Sequence, residues 1–210
     1  MPIQSGAVTF ARFRSEPAGA RPDAKRWLVR GLRKKAFEPL EARRPEDDRA
    51  AGFVELEDHD ATGFEAGLFQ GEHALFAWRI DRLEVPAKAV KAEVDRWVAA
   101  FTAEQGRPPG RREKAGRKEE VRQLLRQRAE PSSKVIDVSW NLDTGEVAIW
   151  ATSRKVVGEI SATMEEVFAV SLHAVSVGAT ATRSKLPEAA LGPTAALVGL
   201  GGQEVSRGQA

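Results

Sequence analysis

The densest group of chemically active side chains in the sequence is a basic segment between residues 107 and 128. It holds nine Lys or Arg residues and three Glu, a net charge of +6. Cations at this density repel one another unless an anion neutralises them, and nucleic-acid phosphates release counterions when Lys and Arg approach. We therefore expect phosphate contacts from Arg107, Arg111, Arg112, Lys114, Arg117, Lys118, Arg122 and Arg126.

No feature of the basic segment predicts recognition of particular bases. It has no helix-turn-helix spacing, no zinc-finger ligands and no aromatic signature for stacking on RNA, so binding should be largely independent of sequence. The five tryptophans could stack on unpaired bases. Trp27, Trp97 and Trp140 lie on apolar stripes and are expected in the core, whereas Trp78 and Trp150 could be buried or exposed.

Catalytic and metal-binding patterns are weak by comparison. The run Glu57-Asp58-His59-Asp60 has metal-ligand types, but consecutive residues do not converge on one ion without an unusual loop. His73 and His173 are expected to be structural or solvent-facing. The sequence has no cysteine, no tyrosine and no phosphate-cradling glycine loop. We expect no catalytic residue, no metal and no cofactor.

The small net charge of +2 hides a strong segregation of charge along the chain. Residues 11–35 carry a net charge of +7, and residues 38–72 carry −8. A local basic surface is what a polyanion senses within the ~8–10 Å screening length of physiological salt. Two alternatives stay open: a protein-interaction adaptor that uses the oppositely charged segments, and a metal-dependent nuclease built around the acids near Glu57.

The apolar periodicities predict an α+β fold, with antiparallel strands packed against segregated helices and a long helical pair in the middle of the chain. Pro108 and Pro109 separate the two long helices, because proline removes a backbone donor and restricts the residue before it. Helices are predicted from Pro22 and over about 86–105, 112–129 and 156–170. Strands are predicted over 7–14, 52–56, 68–83, 134–153 with a turn at 143–145, and 174–177.

The length of 210 residues is enough for one domain or two tightly associated subdomains. No uninterrupted apolar run reaches the ~20 residues that span a bilayer, and the first residues lack a secretory pattern. We expect a cytoplasmic protein without membrane contact. Residues 183–210 lack a sustained period and are expected to form a poorly ordered tail.

The segment from Glu84 to Ser153 resembles the recombination-associated RdgC family. The likeness rests on Val85-Pro86 before a long helix and the basic break after it. It continues through the motifs Glu113-Lys114, Lys118-Glu-Glu-Val121, Leu124-Leu125, Arg128-Ala129, Ile136-Asp137, Gly145 and Ala151-Thr-Ser-Arg-Lys155. Weaker agreement extends upstream to Ala36 and downstream to about Val177.

The resemblance implies a nucleoid-associated protein that binds double-stranded DNA without catalysis. It also implies a ring-shaped homodimer that encloses DNA and restrains RecA-driven recombination. Residues 1–182 would form the DNA-binding region, with a helical subregion at about 86–129. Members of the family continue beyond the end of this sequence, which puts closure of the ring in question. Trp150 and Phe168 are expected near the surface, as apolar side chains available to a dimer interface.

Overall fold

A computed structural model describes residues 9–17, 23–40, 47–64, 67–176, 180 and 184–185. Within these residues the chain forms four named helices and a curled antiparallel sheet of seven strands, which confirms the predicted α+β class. The helices are α1 (Ala24–Lys34), α2 (Ala87–Gln105), α3 (Arg111–Arg128) and α4 (Arg154–Phe168). The strands are β1 (Ala11–Glu16), β2 (Arg49–Val54), β3 (Phe69–Gln70), β4 (His73–Arg82), β5 (Ser132–Asn141), β6 (Glu146–Ile149) and β7 (Ser171–Ala174).

The sheet has the strand order β2-β4-β5-β6-β1-β7, and the short β3 pairs with the first residues of β4. Strands β4 and β5 pair along their whole length, from His73 opposite Asn141 to Arg82 opposite Ser132. The chain therefore leaves the sheet at Arg82 and re-enters it at Ser132, directly opposite. The α2–α3 pair is inserted between these two points, so the sheet fixes both ends of the helical pair.

The main core joins one face of the sheet to α1 and α4. Alternate residues of β4, including Phe76 and Trp78, point into it together with Leu28 of α1 and Ile160 of α4. Aromatic rings fill its centre, where Trp140 packs edge-on against Phe168 with ring centroids 5.1 Å apart. Burial of these large rings is the main stabilising contribution.

Several sequence predictions differ from the structure at the ends of the sheet. Strand β1 begins at Ala11 rather than Ala7, which lies outside the described residues. The prediction of a last strand from Ala174 was wrong, because α4 ends at Phe168, the left-handed Ala169 (φ 51°) turns the chain, and β7 starts at Ser171. Of the predicted tail, only residues 184–185 are described.

The expectation that Phe168 lies near the surface was also wrong. Its side chain is 2% exposed and contacts Trp27 and Trp140. The last turn of α4 points into the core because β7 must return to pair with β1. Phe168 is therefore unavailable to a dimer interface, whereas Trp150 is half-buried beside Phe10.

Candidate nucleic-acid interface

Helices α2 and α3 form the predicted helical pair and pack against each other through few buried side chains. Val90 is the buried residue of α2, and Val121 is the buried residue of α3. The pair is tied to the sheet by Arg126, which donates a hydrogen bond to the carboxylate of Asp48 at 2.7 Å and another to the carbonyl of Asp47 at 3.1 Å. Most of the surface of α3 is thus left open to solvent.

The spacing of the cations on α3 places several of them on one side of the helix. Lys114, Lys118, Arg122 and Arg126 recur at intervals of four residues, and Arg111 lies one turn before Lys114. With 3.6 residues per turn, these positions form a continuous ridge. We call them the α3 ridge. Two of the three acids of α3, Glu113 and Glu120, fall on the other side of the helix.

Five of the eight predicted phosphate contacts are exposed and unpaired. Within the described part of the chain, none of them forms an ion pair with a carboxylate. These five residues are Arg111, Arg112, Lys114, Lys118 and Arg122. Their charges are therefore available to an external anion without the loss of an internal ion pair.

The other three predicted contacts are already engaged with acids. Arg107 bonds to Glu113 at 3.0 Å and lies over the Phe101 ring. Arg117 bonds to Glu120 at 3.0 Å. Arg126 bonds to Asp48. Sequence counting treated all eight cations alike, but the structure divides them, since a phosphate would have to compete with a carboxylate for these three.

Glu113 is held by one of these pairs and by the backbone of the loop before α3. The Arg107 guanidinium and then the backbone N–H of Gly110, which donates at 2.6 Å, lower the pKa of Glu113 to about 2. The same carboxylate therefore holds Arg107 and caps the first turn of α3, where a negative charge is also favoured by the helix dipole. At neutral pH the Glu113 carboxylate therefore fixes the loop between α2 and α3.

The groove between the helices combines basic and apolar side chains. Lys118 and Arg122 of the α3 ridge line a cavity of about 550 Å³ together with Val90, Val94 and Lys91 of α2. Lys91 was not predicted as a site residue, because the register between two helices is not visible in their separate sequences. The groove adds one cation to the surface that the α3 ridge presents.

The apolar positions of the helical pair are less buried than the sequence suggested. The apolar spacing of α3 predicts that Leu124 points inward with Val121, but this prediction is wrong, because the Leu124 side chain is 46% exposed. On α2, Trp97 and Phe101 are half-buried and pack on each other with centroids 5.2 Å apart. A two-helix unit has too little volume to enclose every apolar side chain on its facing sides.

The acidic run near Glu57 serves a structural purpose in the described residues. Asp60 forms an ion pair with Arg79, and the carbonyl of His59 accepts a hydrogen bond from the same guanidinium. Arg79 also bonds to the buried Asp81 at 2.8 Å. Burial alone would raise the pKa of Asp81, but hydrogen bonds from Arg79 and Ser133 outweigh it and lower that pKa. In the part of the chain that is described, no three His, Asp or Glu residues are grouped as metal ligands.

The histidines and tryptophans occupy separate places in the described part of the chain. His73 and His173 are exposed at strand positions. Trp140, expected in the core, is buried there, and Trp78 is buried as well. Trp27 and Trp97 are half-buried.

None of the helices in the described part of the chain has the length and apolar composition of a membrane span.

Comparison with known proteins gives a family match over most of the chain. Residues 18–187 match the model of the family described as "RdgC: Putative exonuclease, RdgC". The match includes all four helices and every strand except β1, which ends at Glu16 before the match begins. No curated protein matches the sequence.

Proposed function

The chain belongs to the recombination-associated RdgC family, and from that premise we propose that it binds duplex DNA without sequence preference and thereby restrains recombination. The observation that carries the proposal is the set of five exposed, unpaired cations on α3. Phosphate contacts of this kind supply affinity and position but no base information. We propose that residues 1–182 form one DNA-binding region, with a helical subregion at about 86–129.

The length and charge of the α3 ridge favour phosphate binding over a role as an ordinary solvated helix face. Lys114, Lys118 and Arg122 extend over eight residues of helix, which is about 12 Å. Duplex DNA carries about one charge per 1.7 Å of its axis, so several phosphates lie within reach of the ridge. Each contact releases counterions, and this release favours binding.

The test is a comparison of salt dependence between the parent protein and a ridge variant. In the ridge variant, Arg111, Lys114, Lys118 and Arg122 are replaced by Ala. With about six to ten phosphate contacts, the parent should lose roughly 10³–10⁵-fold in duplex affinity between about 50 and 200 mM salt. The ridge variant should bind more weakly to every sequence, and the slope of log affinity against log salt should fall by about 3 to 4.

A dispersed variant controls for the change in total charge. It removes four exposed cations that are spread over β1, α2 and β5: Arg12, Arg14, Lys88 and Lys134, each replaced by Ala. Its net charge equals that of the ridge variant, but its loss of affinity and slope should be smaller. A parent protein whose duplex affinity is flat with salt, or equal losses in the two variants, would contradict the role proposed for the ridge.

A nuclease is the second candidate, and the family's own description as an exonuclease favours it. We propose binding without catalysis. The two are separated by incubating labelled duplex with the protein in magnesium or in chelator. Retention of intact DNA under both conditions supports binding alone, and magnesium-dependent shortening supports the nuclease. An adaptor would show neither retention nor cleavage.

We further propose a homodimer that restrains RecA-driven recombination by occupying duplex DNA, as a ring or an open clamp. The support is the family membership. Light scattering that gives only the 22.9 kDa monomer at micromolar concentration would refute the dimer. A closed ring should stay on nicked circular duplex in a high-salt wash and slide off the same DNA when linear, whereas an open clamp leaves both forms equally.

A further inference from the structure

A second basic surface lies on α1, far along the chain from the α3 ridge. Its cations line a cavity of about 940 Å³, the floor of which includes Val29 and Phe64. We call this surface the α1 cavity. The lining cations are Lys25, Arg26, Arg30, Arg33 and Lys34.

The core fixes the direction in which the α1 cavity faces. Leu28 and Leu32 are fully buried on the other side of the helix. Between them, Gly31 lies so close to the ring of Phe168 that an added Cβ would stand 2.1 Å from a ring carbon. Helix α1 cannot rotate about its axis without opening this contact, so its basic side stays turned to solvent.

The floor of the cavity is held in an unusual backbone conformation. Phe64 has a φ of 55°, a region that bulky residues rarely occupy. Its N–H donates to the carboxylate of Glu55 at 2.6 Å, and its ring is buried. Arg33 donates to the carbonyl of Gly63 at 2.7 Å through Nη2 and at 3.2 Å through Nε. These bonds fasten the 55–64 loop to α1 and shape a concave surface.

Charge in the cavity is not balanced from within the helix. The eleven residues of α1 contain no Asp or Glu. Lys25, Arg26, Arg30 and Lys34 are exposed, and in the described portion of the chain none of them pairs with a carboxylate. Like charges one turn apart on a helix are destabilising. A bound anion would remove that repulsion.

We infer that the α1 cavity is a second phosphate-binding surface that engages the nucleic-acid backbone. This inference rests on the proposed function. Lys25 and Lys34 are nine residues apart, about 13 Å along the helix, and duplex DNA carries about eight phosphate charges over that length. A small anion would neutralise only part of such a surface, whereas a polyanion can neutralise all of it.

The test is an α1 variant in which Lys25, Arg26, Arg30 and Lys34 are replaced by Ala, with the α3 ridge intact. Arg33 is kept because it holds the loop. The slope of log duplex affinity against log salt should fall by about 3 to 4. The affinity lost between about 50 and 200 mM salt should then shrink by about a hundredfold relative to the parent. The dispersed variant is the charge-matched control.

A charge-conserving variant, Arg26→Lys with Arg30→Lys, checks that the loss is electrostatic and should retain the parent slope. Thermal melting of each variant establishes that it is folded. If the parent binds duplex and the folded α1 variant keeps the parent affinity and slope, the α1 cavity is not a phosphate surface and the proposed function stands. If the parent itself does not retain duplex, the proposed function fails and this inference fails with it.

Discussion

The basic surfaces of α1 and α3 have similar composition but differ in how the protein supports them. Helix α1 is anchored by three buried residues, Leu28, Gly31 and Leu32. Helix α3 has one buried residue, Val121, although it is seven residues longer. A concave basic surface on a packed core and a basic ridge on a thinly packed pair are therefore both available in one small protein.

Charge density alone therefore does not define a binding surface. On α3, Glu113 and Glu120 already occupy Arg107 and Arg117, whereas α1 has no acid of its own. The backbone of α1 should be rigid and lose little conformational entropy in the proposed contact with DNA. The helical pair should be able to open locally, because units with few buried apolar contacts are the least stable parts of a structure.

The largest expected effect is on the free energy of unfolding. Leu32→Ala removes a fully buried side chain and should destabilise the whole protein by about 2–5 kcal/mol. Val121→Ala removes two methyl groups from the contact between α2 and α3 and should destabilise that contact by about 1–2 kcal/mol. Urea unfolding measures the loss of global stability in Leu32→Ala. In Val121→Ala, amide hydrogen exchange should show faster opening of residues 87–128 with little change in the sheet.

Equal loss of global stability in the two variants would contradict the comparison, since it would mean that the helical pair unfolds together with the sheet. A control is Thr102→Ala on the exposed side of α2. It removes an exposed methyl group and a hydroxyl that donates a hydrogen bond to the Val98 carbonyl, and it should leave both measurements close to the parent.

Replacing a glycine should change the free energy of unfolding by a smaller amount, with opposite signs in α1 and α3. Gly31→Ala places a Cβ against the buried Phe168 ring and should cost about 1–3 kcal/mol, because the packed core leaves the ring little room to move. Gly116→Ala on α3 meets no atom within 4 Å and should stabilise the helix by about 0.5–1 kcal/mol.

The glycine of α4 provides the matched control. Gly158 is also helical, exposed and free of neighbours within 4 Å, so Gly158→Ala should stabilise as Gly116→Ala does, even though α4 is anchored in the core. If Gly31→Ala also raised the melting temperature, the close contact between α1 and α4 would not constrain α1, and the rigidity argued for the α1 cavity would be lost.

Much of the fold could be predicted from the sequence because local patterns and tertiary contacts agree. The alternation around Val138 and the turn at Gly145 predicted the β5–β6 hairpin, and all four helices were found. The ends of β1 and β7 could not be predicted, since they depend on pairing between distant segments. Phe168 was misplaced because its depth is set by Trp27 and Trp140, which come from other elements.

The candidate site was predictable in position but not in detail. The cations of the 107–128 segment stood out by number, and their division into five unpaired and three paired residues depends on side-chain geometry. The bond from Arg126 to Asp48 joins residues 78 positions apart, and no local pattern indicates it. Likewise, the loop that shapes the α1 cavity meets α1 through Arg33 and Gly63, 30 residues apart.

The smallest expected effect is on the pKa of Glu113, an acid of α3 that has no counterpart on α1. Glu113 has its folded-state pKa lowered to about 2 from 4.5, first by Arg107 and then by the Gly110 N–H. A lowered pKa means that the bond contributes stability above about pH 4.5, and that this contribution is lost as the pH falls through about 2. A carbon NMR titration of the Glu113 carboxyl should therefore give a midpoint near 2 in the parent. Arg107→Gln should move it back toward 4.5, whereas Arg111→Gln, which removes a neighbouring cation without that bond, should leave it low. A parent midpoint near 4.5 would show that Arg107 is not held by Glu113, and Arg107 would then join the cations available to phosphate.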